Sequence, residues 1–181
     1  FNQLSENRIE LLRALDKNNF QILELLAGIY PDEAHFVYEL LQNAEDSDAN
    51  EVTFYLSKTG LLFQHNGKKK FTIKDIDAIT SINNSTKTQD QNKIGKFGVG
   101  FKSVYAFCSK PIINSAGFTF EIERGFLPKV NEKSELQFDK ELTTFILNFN
   151  EITKPPKIAW SQIRVGLLEL DQKSLLFLTN I

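Results

Sequence analysis

"IGKFGVGFKS", residues 94–103, packs three glycines, two lysines and a serine into ten positions. Two phosphate-binding templates come close and neither fits. The P-loop, G-x-x-x-x-G-K-[ST], is matched by Gly95 and Gly100, but Phe101 follows and the lysine arrives one place late at Lys102. The dinucleotide fingerprint, G-x-G-x-x-G, is begun by Gly98 and Gly100, but Ser103 stands where the last glycine belongs. Two readings remain for the glycines. They can serve a tight turn and close packing. Or they can bare the unpaired N–H groups of a helix N-terminus toward an anion. In the second reading Lys102 adds a point charge, and Ser85 or Thr86 in the upstream "NNSTK" adds a hydroxyl.

Working outward, two further polar groups stand out. In "ELLQNAED", residues 39–46, Glu39 and Asn43 are four apart and share a helix face, which Asp46 extends. Phe36, Val37, Leu40, Leu41 and Ala44 lie on the other sides. One reading is a solvated stripe on an amphipathic helix. The other is a metal-and-water site. Asparagine offers a neutral oxygen to Mg²⁺, and glutamate can orient or deprotonate an attacking water. "HNGKKKF", residues 65–71, contains Asn-Gly, a strong turn signal. Its functional reading is a loop that lets a ligand approach the backbone at Gly67. Lys68, Lys69 and Lys70 read best as a solvated part of that turn.

The surrounding pattern predicts an α+β chain. Helices are expected over 4–15, 20–29, 32–46, 72–82 (Thr72 as N-cap) and 160–170. Strands are expected at 51–56 and 61–65, joined by "SKTG", and at 111–115, 118–124 and 143–149. A polar loop over 83–97 should lead through 98–108 into a helix, and an apolar "LLFL" lies at 175–178. Helices come first and strands then pair through hairpins. That order favours a two-layer sandwich with a mixed, mostly antiparallel sheet over a doubly wound parallel one.

Bulk properties narrow the class. With 181 residues the chain suits one domain with a real core. A net charge of −2 gives no electrostatic footprint for nucleic acid. No apolar run is long enough for a membrane span. The single cysteine, Cys108, points to a reducing, cytoplasmic setting. The chain lacks methionine altogether and reads as a piece of something longer, residues 1–181 forming one domain of it.

Order and spacing then decide among the readings. An acidic-Asn helix is followed by a strand ending in H-N-G, a helix, a polar Ser-x-Lys segment and G-x-x-G-x-G-F-K-S. This resembles the GHKL ATPases (gyrase B, the heat-shock chaperone of that class, histidine kinases and MutL), and within them the sacsin N-terminal-like branch. "HNGKKKF", "SINNSTK", "IGKFGVGFKSVYAF" and "LLFLTNI" carry the likeness to that branch. The resemblance implies a Bergerat-fold sandwich binding ATP with Mg²⁺ and hydrolysing it slowly, to drive lid closure and an ATP-dependent homodimer in a larger polypeptide. By matching positions it implies Glu39 as the carboxylate that activates water and Asn43 as Mg²⁺ ligand. Asp46, His65, Asn66 and Gly67 would line the nucleotide, with Ser85 and Lys87 on the lid. Gly95, Gly98, Val99, Gly100, Phe101 and Lys102 would form the phosphate segment.

One departure stands out. Where that superfamily has D-x-G-x-G, with an Asp accepting from the adenine amino group, this chain has His65. His65 accepts only through a deprotonated nitrogen, and Asn66 offers an amide instead. The missing Asp motivates a second expectation, a catalytically degenerate module of this fold that binds protein partners.

Overall fold

The computed structural model describes residues 1–18, 22, 23, 26, 35–81, 100–131, 137–149, 154–170, 178 and 181. Helix α1 spans Asn2–Lys17 and α2 spans His35–Asp46. Strands β1 (Val52–Leu56) and β2 (Gly60–His65) follow, then α3 (Ile73–Thr80) and a 3-10 helix over Gly100–Ala106. Strands β3 (Ile112–Ser115), β4 (Phe118–Glu123), β5 (Leu127–Val130) and β6 (Thr143–Asn148) precede α4 (Pro156–Leu168). The six strands form one sheet in the order β1-β2-β6-β3-β4-β5, and every ladder among them is antiparallel.

Alternation along the strands sorts the two faces. Leu61, Phe63 and His65 of β2 pair across with Leu147, Phe145 and Thr143 of β6 and share the inner face. Ile113 of β3, then Phe120 and Ile122 of β4, continue that face. The opposite face carries a polar row instead. Gln64 donates to Thr144 Oγ1 (3.0 Å) and Asn114 donates to Thr119 Oγ1 (2.7 Å), on four successive strands. The inner face receives the helical layer. Phe101 of the 3-10 helix meets Phe145 with ring centroids 5.9 Å apart, and Phe1, ahead of α1, sits edge-on to Phe118 at 5.2 Å. Helix α2 joins that layer through Phe36, which packs on Phe107 at 5.1 Å.

The expected helix over 72–82 runs Ile73–Thr80 and begins at a reciprocal capping box. The Thr72 N–H donates to the Asp75 carboxylate (2.8 Å) while the Asp75 N–H donates to the Thr72 hydroxyl (3.4 Å). Thr72→Ala removes the helix-side half of that box. It is expected to lower stability by about 1 kcal/mol in urea denaturation.

Three expectations are revised. Strand β5 was not anticipated, because Pro128 interrupts its pattern. Proline is tolerated there because β5 is an edge strand. The segment after the glycines forms a 3-10 helix, with the Ser103 hydroxyl donating to the Gly100 carbonyl three residues back. Helix α4 starts four residues ahead of the expected 160, with Pro156 in its first turn, where a missing N–H costs nothing. The expected helix at 20–29 lies mostly outside the described residues; Ile22 and Leu26 within it are helical and buried. The 83–97 loop and nearly all of 175–178 also lie outside them.

Candidate functional site: the C-terminal half of helix α2

Three separate stretches meet along α2. Its apolar face is fully sequestered, with Val37, Leu40 and Ala44 each 0 % exposed. The polar face meets Gly100 at one level, and the H-N-G turn meets the end of the helix. At the Glu39 level, Gly100 lies directly against the carboxylate: a Cβ built on Gly100 would stand 1.8 Å from Glu39 Oε2. Only glycine allows that approach. One turn on, Asn43 is 7 % exposed, yet its carboxamide makes no hydrogen bond to any described residue. Its backbone carbonyl, by contrast, accepts the Ser47 hydroxyl at 2.7 Å.

The helix ends in a Schellman closure. Ala49 N–H reaches back to Ala44 O (3.0 Å) and Asp48 N–H to Glu45 O (2.9 Å), with Asp48 left-handed at φ 57°. The H-N-G-K-K-K turn folds over this end. Lys69 N–H donates to Ser47 O (3.1 Å), and its ammonium donates to Asp46 O (3.1 Å) and to the Asp48 carboxylate (3.1 Å). A cation is well placed at the negative end of a helix. The Lys70 ammonium is held by the Glu141 carbonyl. So Lys69 and Lys70 tie the turn down, although Lys69, like Lys68, stays exposed. Burial raises the Asp46 carboxyl above its usual range, opposed by the charge of Lys69.

Within the turn, the Asn66 carboxamide is tied to its neighbours through its oxygen and one of its two N–H groups. Its Oδ1 accepts the N–H groups of Asn50 (3.0 Å) and Glu51 (3.1 Å), and its Nδ2 donates to Asn50 Oδ1 (2.6 Å). His65 is 2 % exposed, its ring 5.8 Å from Phe63 and stacked on Phe145 at 6.2 Å. Its Nδ1 accepts the Gly67 N–H at 3.1 Å. Burial, helped by the nearby Lys70 charge, holds its pKa down at about 4 against an ordinary 6.5.

That depression makes stability pH-dependent in a definite direction. Above pH 6.5 the ring is neutral folded and unfolded, and its burial costs no deprotonation. As pH falls from 6.5 toward 4, only the unfolded state takes the proton, so stability is lost across that window. The expected loss is about 3 kcal/mol, read from urea denaturation at pH 7 and pH 4. His65→Gln should remove that part of the pH dependence; an unchanged profile would show that another group carries it.

Two residues of this floor carried no sequence signal. Thr143 is directly opposite His65 in the β2–β6 register, and its hydroxyl lies 2.9 Å from that of Ser115. Ser115 also accepts the Phe71 N–H at 3.1 Å. Sheet pairing alone brings them together. Lys102 turns away from open solvent. Its ammonium binds the Ser81 carbonyl, and burial, then the charge of Arg8, lowers its pKa. The Cys108 thiol, pushed up to about 12 by burial, is inert at neutral pH. Ser85, Lys87, Gly95, Gly98 and Val99 lie outside the described residues.

The architecture is therefore an α+β two-layer sandwich. The same fold occurs in a solved structure, the N-terminal domain of a DNA repair protein. The TM-score is 0.55 at 14% sequence identity, covering 85% of this chain and 46% of that one. The Sacsin domain family model matches residues 20–164, and the chain belongs to that family. Its relatives include Protein NO VEIN of Arabidopsis thaliana, 38% identical over 100 residues (52% of this chain, 4% of that protein). Human Sacsin is 29% identical over 143 residues (69% of this chain, 3% of that protein). The chain thus spans only a few per cent of these relatives' length, and the matched segments belong to much larger polypeptides. Among the described residues no helix is long and apolar enough to cross a membrane.

Proposed function

We propose that this domain binds ATP with Mg²⁺ along α2 and hydrolyses it slowly, the cycle serving conformational change in a larger protein. The observation that carries this reading is the pairing on α2. Asn43, 7 % exposed and with no carboxamide hydrogen bond among the described residues, stands one turn from Glu39, whose carboxylate lies against Gly100. Among the described residues no cluster of three or more His, Cys, Asp or Glu could hold a metal by itself. That donor set suits Mg²⁺, which keeps several waters and is held by one or two protein oxygens plus phosphates. Asn43 would supply the protein oxygen. When bound, the ion would neutralise charge on the phosphates. Glu39 would orient and deprotonate the attacking water, and backbone N–H groups beginning at Gly100 would face the phosphates.

Isothermal titration with ATP, and with a non-hydrolysable analogue, in the presence of Mg²⁺ tests the reading. Saturable heat with both is expected, weakened when Mg²⁺ is chelated. Silence at millimolar nucleotide would overturn it and leave the degenerate interaction module as the function of this fold.

A further inference from the structure

The base end of the site can be located and its polarity read. Glu39 and Gly100 mark the phosphate end. Helix α2 advances about 10 Å from Glu39 to Asp46 at the standard rise per residue. A nucleotide laid along it would then set its base near Asp46, Gly67 and the His65–Thr143 row. A Cβ on Gly67 would stand 2.7 Å from both His65 Nδ1 and Ser47 Cβ, so the turn, the helix end and the imidazole form one close-packed unit.

The Gly67 backbone can only donate. Nδ1 must therefore carry a lone pair, and in the neutral ring the proton then sits on Nε2. Among the described residues Nε2 has no hydrogen-bond partner. The neighbouring Asn66 Oδ1 is taken by the Asn50 and Glu51 N–H groups and one of its amide hydrogens by Asn50 Oδ1, so what it has left is also a donor. So the H-N pair, standing where an acceptor was expected, offers a donor.

We propose, resting on the nucleotide-site reading above, that His65 Nε2–H recognises an acceptor on the edge of a purine, such as N1 of adenine or O6 of a 6-oxopurine, so that the exocyclic amino group of adenine contributes little to binding. His65 is then the residue that sets base specificity, and the substrate class widens from ATP to purine nucleoside triphosphates.

The test compares ATP, purine riboside triphosphate (no amino group) and inosine triphosphate by titration in the presence of Mg²⁺. The two amino-less nucleotides are expected to bind at least about a third as tightly as ATP. His65→Asp should reverse this, favouring ATP by about tenfold, one charge-assisted hydrogen bond's worth. A wild-type preference for ATP of about tenfold or more would overturn the proposal and point to an acceptor such as Asp46. Should the variant not fold, the wild-type comparison decides alone. Nitrogen-15 NMR of the imidazole supplies a second readout, with Nε2 protonated at pH 7; an Nδ1-protonated ring would overturn the proposal without touching the nucleotide reading. If no nucleotide binds, that underlying reading falls first, and this one with it.

Discussion

Glu39→Ala is expected to cut ATP turnover by about 100-fold or more while leaving ATP affinity within about threefold. Removing a positioned general base typically costs two to four orders of magnitude. Affinity should survive because the groups assigned to binding, Asn43 and the backbone from Gly100 onward, do not depend on that carboxylate. The structure sharpens the expectation through Gly100. The carboxylate fills the space where a side chain on Gly100 would stand, 1.8 Å from Oε2. The Ala variant empties that space without adding bulk at Gly100. Steady-state phosphate release and titration, run on the same preparation, separate turnover from affinity. Turnover within tenfold of the parent would move the base elsewhere; a parallel collapse of affinity would make Glu39 a structural prop.

Phe145→Ala is expected to destabilise the fold by about 4 kcal/mol, or roughly 10 °C in Tm for a domain of this size. Phe145 is 1 % exposed, at the middle of the central strand β6. Its ring meets Phe63 at 5.7 Å, Phe71 at 5.9 Å and Phe101 at 5.9 Å, and stacks on His65 at 6.2 Å. The neighbours are spread over β2, the turn after it and the 3-10 helix, so no single movement fills the void. Phe101 follows Gly100 and His65 opens the H-N-G turn, so one ring buttresses both. Thermal unfolding and urea titration measure the effect. A loss under about 1.5 kcal/mol would mean that this part of the core collapses easily onto the gap.

Local chemistry made much of this readable in the sequence. The "SKTG" hairpin, the Thr72 cap and the apolar face of α2 are short-range patterns, and each appears where its residues predict. That Glu39 and Asn43 share one helix face was legible for the same reason, since helix period is a property of a few neighbouring residues. Strand β5 was hidden because its proline argues against a strand unless the strand is known to lie at an edge. The commitment of Asn66 to the 47–51 turn was equally invisible, since Asn50 and Glu51 lie fifteen residues upstream. Thr143 and Ser115 are the clearest case. Neither differs from any other strand hydroxyl until the β2–β6–β3 register sets them beside His65.

The place of β6 has a consequence for how the chain acquires its structure. Among the described residues it is the last strand in sequence, yet it lies between β2 and β3, with Gly60 paired to Asn148. Until residue 148 is available, the earlier strands can form only two separate antiparallel pieces, β1–β2 and β3–β4–β5, each with an open edge. Such distant pairing slows folding and leaves those edges exposed meanwhile. In a polypeptide made from its N-terminus, β6 is the closing strip. The His65–Thr143 row and the Phe145 buttress come into being together, at the moment the two half-sheets are joined.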